Sequence, residues 1–292
     1  MSIRVINPGA LTTIQDRGRI GYQSKGVRAC GVMDTAAYGD ALALAGGKDG
    51  DAVLEMTLFG GTYIFEDDCC FALTGADMKP TLNGSACGMN CRIMAKAGDK
   101  LNLGFAASGC RTYLAVAGGI DVPPVMGSRS TDVKCGIGGI DGRALKAGDM
   151  VPAGKWDVSE NPAPEIQARS FPDEITVGAI PGPQDEMFTE KGLRTFFGTA
   201  YRISENSDRM GYRLNGEKIE SKNGTDIISD GIVFGSVQIT AEGLPIILMA
   251  DRQTTGGYAK IATVVSADLP LLAQARPGTR VRFRKVSIED IR

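Results

Sequence analysis

Apolar positions in this chain come in short runs separated by glycine and polar turns, and sustained helical periodicity is scarce. Strands are predicted at Thr62 to Phe65, Cys70 to Thr74, Leu101 to Phe105, Thr112 to Ala117, Ile175 to Val177, Ser236 to Thr240 and Thr279 to Phe283. A nearly continuous apolar run, Leu244 to Ala250, suits a strand covered on both faces, and Ile261 to Val265 resumes β-branched character. The best helix is Thr35 to Ala45, with Asp34 as N-cap and Gly46-Gly47 as its stop, and Gln184 to Phe197 holds one or two shorter ones. Many short strands with turn signals between them read as barrels or sandwiches, a mainly β fold with a few short helices.

The pattern repeats. Gln15-Asp16-Arg17-Gly18-Arg19-Ile20-Gly21-Tyr22 is answered by Ser207-Asp208-Arg209-Met210-Gly211-Tyr212. Glu55 and Phe59 are answered by Asp230 and Phe234, each 175 positions later, and a constant offset argues for two related halves. Between them, Pro152 to Glu165 is polar, proline-bearing and aperiodic, as a linker should be. Two domains are therefore expected, residues 1–160 and 171–292, with the first twenty or so residues able to reach across to the other half.

Polar chemistry concentrates at Asp251-Arg252-Gln253-Thr254-Thr255-Gly256-Gly257, between the two strands near residue 250. Arg252 can grip a carboxylate or phosphate through two parallel hydrogen bonds, while Gln253, Thr254 and Thr255 offer donors for a carbonyl or amide. The plainer reading is a Gly-Gly turn whose Asp and Arg pair at the surface. In Asp16-Arg17 and Asp208-Arg209, neighbouring side chains on extended backbone face opposite ways, so each is expected to reach a separate target; alternatively each Asp caps its turn and each Arg ties down a loop. Gly127-Ser128-Arg129-Ser130-Thr131-Asp132 has the content of an oxyanion-binding turn or of a solvated loop. Pro181-Gly182-Pro183-Gln184 is a rigid turn, architectural or able to offer the Gln184 amide to a ligand's carbonyl or ureido group.

Composition removes several classes of function. The chain has 292 residues, a net charge of −2 and no block of Lys or Arg, which argues against nucleic acid as a partner. No apolar stretch is long enough to span a membrane and no secretory leader is evident, so a cytoplasmic protein is expected. Seven cysteines without a Cys-x-x-Cys fit a reducing compartment and give no metal site. There is no histidine, which excludes Ser-His-Asp and Cys-His mechanisms within this chain. No phosphate-binding Gly-x-x-x-x-Gly-Lys-Ser/Thr occurs, and without a Met-Lys-Met no biotin is attached to this chain.

Taken together, five segments resemble the allophanate hydrolase subunit 2, or biotin-dependent carboxyltransferase-like, family, whose stand-alone bacterial members include the C subunits of 5-oxoprolinase. They are Gly9 to Gly18, Tyr113 to Asp121, Gly127 to Asp132, Ser207 to Leu214 and Asp251 to Tyr258, so the resemblance covers essentially the whole chain. It implies two related cyclophilin-like β-barrel domains. It also implies partners: a sister chain of the allophanate hydrolase subunit 1 or 5-oxoprolinase B type, and a third of the 5-oxoprolinase A type.

The implied reaction is ATP-dependent opening of 5-oxoproline to L-glutamate, with ATP and Mg belonging to the complex and their sites expected on a partner. Two alternatives accompany it: a carboxyltransferase component of a biotin-dependent urea carboxylase, and a regulatory binding protein that antagonises a kinase-inhibitor sister subunit. On the first reading Asp208, Arg209, Arg252 and Asp16 are the catalytic candidates. Asp208 or Asp16 would be the general base in a chain without histidine, provided burial raises its pKa. Tyr212 and Tyr22 would orient that carboxylate. Gln253, Thr254, Thr255, the Gly256 amide, Gln184, Arg17, Ser128 and Arg129 would bind the amide substrate.

Overall fold

The computed structural model describes residues 1–155 and 163–290. The chain separates into two compact units, residues 1–20 with 30–171 and residues 21–29 with 172–292. The crossing segment is thus residues 21–29, whereas the first twenty residues stay with the unit that follows them. Half of the expected linker, residues 156–162, lies outside the described residues.

The first unit holds strands β1 (Ser2–Asn7), β2 (Leu11–Gln15), β3 (Val53–Thr57), β4 (Phe59–Phe65), β5 (Cys69–Asp77), β6 (Thr81–Leu82), β7 (Ser85–Ala86), β8 (Arg92–Ala95), β9 (Lys100–Phe105), β10 (Ser108–Val116) and β11 (Met150–Pro152). They form two sheets, ordered β11-β1-β4-β9-β6-β7 and β2-β3-β10-β5-β8. Ile3, Val5, Leu54, Tyr63, Phe71, Leu73, Leu101 and Leu114 share one buried cluster between them. Helix α1 (Thr35–Ala45) is capped as its sequence predicts: Asp34 accepts from the amides of Ala36 and Ala37, and Gly46 ends it in the left-handed region at φ 76°. Its apolar face covers Tyr113, Ala115 and Val53. Arg169, just before the end of this unit, reaches back to pair with Asp40.

The second unit contains β12 (Glu174–Pro181), β13 (Ala200–Ile203), β14 (Gly211–Asn215), β15 (Asp226–Gly231), β16 (Ser236–Ile239), β17 (Pro245–Leu248), β18 (Thr255–Tyr258), β19 (Lys260–Val264) and β20 (Arg280–Lys285), with helices α2 (Glu190–Gly198) and α3 (Leu269–Gln274). Seven of these strands close a barrel in the order β12-β19-β16-β17-β14-β13-β20. Closure comes from the parallel pairing of β12 with β20. Period-two alternation fills the interior with Val177, Tyr201, Tyr212, Leu214, Val237, Ile247, Val281 and Phe283, all buried. Phe196 of α2 stacks on Phe283 at 4.4 Å between ring centroids. Strands β15 and β18 form a separate two-stranded antiparallel sheet. The fold is mainly β with few and short helices, as the sequence predicts, and among the described residues no helix is long and apolar enough to cross a membrane.

Candidate functional site

In the first unit the two members of Asp16-Arg17 part as their alternation requires. Arg17 turns outward to Asp49. Asp16 is buried, and its carboxylate accepts from the Gly18 amide at 2.8 Å, the Ser128 and Ser130 hydroxyls at 2.6 Å each and the Arg129 amide at 2.5 Å. The 127–132 turn therefore does bind an oxyanion, and that oxyanion is the protein's own Asp16. Three donors meet at Oδ1 and one at Oδ2, so Asp16 organises this loop. Ser128 is consumed in the same network, and the Arg129 guanidinium pairs with Asp121 at 2.9 Å.

In the second unit Asp208 is exposed and caps its own turn, accepting from the amides of Met210 at 2.7 Å and Gly211 at 3.3 Å. Its carboxylate is open to solvent in this chain. Arg209 is buried and grips Asp251 through two parallel bonds, Nε to Oδ2 at 2.9 Å and Nη2 to Oδ1 at 2.8 Å. It clamps the start of the polar stretch. Tyr212 lies buried in the barrel wall, and Tyr22 stacks beneath the Lys25 amine at 5.7 Å.

The crossing segment is tied to this same region of the second unit. Gln23 donates to the carbonyls of Ile232 at 2.7 Å and Thr254 at 3.2 Å, and Arg28 donates to the Asp251 carbonyl at 3.4 Å. Arg252 is half-buried with its guanidinium 5.7 Å from the Phe234 ring centroid, donating over long distances to the Ile232 and Met249 carbonyls. Gln253 and Thr254 are half-buried, and Thr255 is exposed at the start of β18.

The most concentrated chemistry in this unit belongs to a residue that motif reasoning misses. Lys260, at the start of β19, has a side chain only 4% exposed, and its Nζ donates to Asp230 Oδ2 at 2.7 Å. Gln184 completes the group: its Oε1 accepts from the Lys260 amide at 3.1 Å and its Nε2 donates to Asp230 Oδ2 at 3.5 Å. The hydrogen bond from Lys260, with a second from the Gly231 amide, holds the Asp230 carboxyl below the usual carboxylate range. The expected turn at 181–184 is architecture with a purpose, because a Cβ on Gly182 would lie 2.2 Å from the Lys260 carbonyl oxygen. Only glycine lets the turn approach closely enough to bring Gln184 over Lys260.

Register explains why Lys260 is buried. Lys260 pairs with Gln238, Gln238 with Ile246 and Ile246 with Arg213, a row crossing four strands on the outer face of the barrel. The β15–β18 sheet covers the Lys260 end of that row: Gln238 donates to the Tyr258 carbonyl at 3.0 Å, and a Cβ on Gly256 would meet Gln238 Nε2 at 2.8 Å. The sequence does carry a signal, a lysine set between apolar Ala259 and Ile261 inside a strand. Its carboxylate partner Asp230 shows in the sequence only as an echo of Glu55. Glu55 itself is buried in the first unit and bonded to the Met33 amide and the Tyr113 hydroxyl, so the two echoing carboxylates have different neighbours.

An ammonium carries three donors, and Asp230 takes one of those on Lys260. A buried cation with N–H groups to spare, beside two primary amides and a glycine pair that exposes backbone, suits the negative oxygen of a carboxylate or of a polarised amide carbonyl. Of the residues expected at a site, Gln184 and Gly256 adjoin Lys260. Asp16, Arg17, Ser128 and Arg129 belong to the first unit and form no part of this cluster.

Among known proteins, the chain is 41% identical over 288 residues to the 5-oxoprolinase C subunit of Escherichia coli (strain K12), covering 99% of this chain and 92% of that protein. The corresponding 5-oxoprolinase C subunit of Haemophilus influenzae is 37% identical over the same coverage. The crystal structure of the Kluyveromyces lactis urea carboxylase matches 98% of the chain at 32% identity and a TM-score of 0.90, and there the match is 27% of a longer chain. A family model described as carboxyltransferase domain, subdomain A and B, matches residues 25–285, and the chain belongs to that family.

Proposed function

We propose that this chain is a subunit of an ATP-dependent 5-oxoprolinase complex that opens the lactam of 5-oxoproline to give L-glutamate. The observation that carries the reading is the end-to-end likeness to a relative of nearly the same length named as the C subunit of 5-oxoprolinase. The site chemistry is compatible with it: 5-oxoproline offers a carboxylate and an amide carbonyl, and Lys260 with Gln184 and Gln238 supplies a cation and amide groups for them. On this reading ATP and Mg belong to the complex, in which the partners are a sister chain of the 5-oxoprolinase B type and a third of the A type. A carboxyltransferase role is the second reading, favoured by the likeness to urea carboxylase.

The test is glutamate release from 5-oxoproline with ATP and Mg, using this chain mixed with its sister subunits and each component omitted in turn. Glutamate that depends on this chain supports the first reading. An assembled complex that yields none, yet carboxylates urea when given a biotin-carboxylase partner, supports the second.

A further inference from the structure

Beyond the Lys260 cluster, the outer face of the barrel carries an open pocket of about 340 Å³, walled by Asn206, Arg213, Asn215, Glu242 and Tyr258 with Ile246 among its apolar lining. This lies near the small end of the range for ligand sites, roughly 300–1,000 Å³, a size for a small metabolite. Alternation along β14 builds one wall, since buried Tyr212 and Leu214 put Arg213 and Asn215 outside. Asn206 comes from the turn held by the Ser204 amide on the Arg213 carbonyl at 2.9 Å, and Glu242 from the hairpin closed by the Gly243 amide on the Thr240 carbonyl at 2.9 Å.

Two opposite charges line this pocket without meeting. Among the described residues neither the Arg213 guanidinium nor the Glu242 carboxylate has an ion-pair or hydrogen-bond partner, in each other or elsewhere. A guanidinium presents a fork that fits a carboxylate, and a carboxylate is an acceptor for an ammonium. The ligand that satisfies both at once is a zwitterion, and the polar amides and the Tyr258 hydroxyl leave room for a polar side chain. We propose that this pocket binds a small free α-amino acid, with its carboxylate on Arg213 and its ammonium toward Glu242. Arg213 lies three strand spacings, about 14 Å along the sheet, from Lys260 in the same row, while Tyr258 lines the pocket on the side nearer the Lys260 cluster.

The proposal is tested on the full chain by following backbone amide shifts while titrating L-glutamate, and separately glutarate, which has the same two carboxylates and no ammonium. Saturable shifts are expected at Asn206, Arg213, Asn215 and Glu242, with glutarate binding at least about fivefold more weakly. R213A should weaken L-glutamate at least about tenfold, and E242Q should erase the preference over glutarate. Both side chains are exposed, so the variants should fold, as an otherwise unchanged spectrum would show. Absence of saturation up to about 10 mM, equal binding of the two ligands by the parent chain, or binding untouched by R213A would overturn it.

Discussion

Lys260→Met separates the chemistry of the buried amine from its packing. Methionine keeps most of the stem that packs under the β15–β18 sheet and removes the ammonium. The lost contact is one charge-assisted bond of 2.7 Å to Asp230, whose side chain is 54% exposed and rehydrates without rearrangement. Replacing a desolvated ion by an apolar group of similar volume is often close to neutral, so unfolding free energy should change by no more than about 1 kcal/mol. Asp230→Asn should be the more destabilising of the two, because it strands a buried ammonium beside a neutral amide. If Lys260 meets negative charge as it develops on the substrate, Lys260→Met in the assembled complex should cut turnover at least about 100-fold, or ~2.7 kcal/mol. Urea unfolding of the chain and glutamate release by the complex measure the two effects. A Lys260→Met complex that keeps more than half its turnover, or a variant less stable than Asp230→Asn, would refute the reasoning.

Other expectations are more local. Arg209→Ala breaks a two-bond pair with side chains 8% and 12% exposed and should cost about 3–5 kcal/mol, while a double-mutant cycle with Asp251→Ala should return coupling above about 1 kcal/mol; additive losses would remove the pair from the account. Gly182→Ala forces a Cβ to 2.2 Å from the Lys260 carbonyl and should cost about 1–3 kcal/mol in urea unfolding. Under native conditions a thiol reagent should label Cys91 and Cys135 first, because both are exposed, whereas burial pushes the Cys69 thiol up to about 12; fast labelling of Cys69 would contradict the packing of β5. The Arg143 hydrogen bonds hold the Asp149 carboxyl below its usual range, so their stabilisation is present above the unfolded pKa, about pH 4, and is lost as pH falls through the folded value. Arg143→Ala should flatten the acid loss of stability between about pH 5 and pH 2, read from urea midpoints.

What the sequence determined by itself is what depends on near neighbours. The mainly β character, the caps of α1 and the outward turn of Arg17 against inward Asp16 follow from periodicity and short-range sterics, which act within a few residues. The polar stretch after residue 250 and the turn that carries Gln184 were legible as polar connections between strands. Which charged groups remain available there was not legible, because hydrogen-bond partners come from anywhere in the chain. Asp16 is satisfied by residues more than 110 positions away, and Lys260 meets Asp230 at a separation of 30. Asp16 and Asp208 look alike in their motifs, yet one is saturated by hydroxyls and amides while the other caps an exposed turn. Lys260 reads as an ordinary strand lysine until strand register sets it beside Gln238 and the β15–β18 sheet closes over both. Only tertiary structure decides such burial, because the cost of hiding a charge and the partner that offsets it are both set by the elements packed against it.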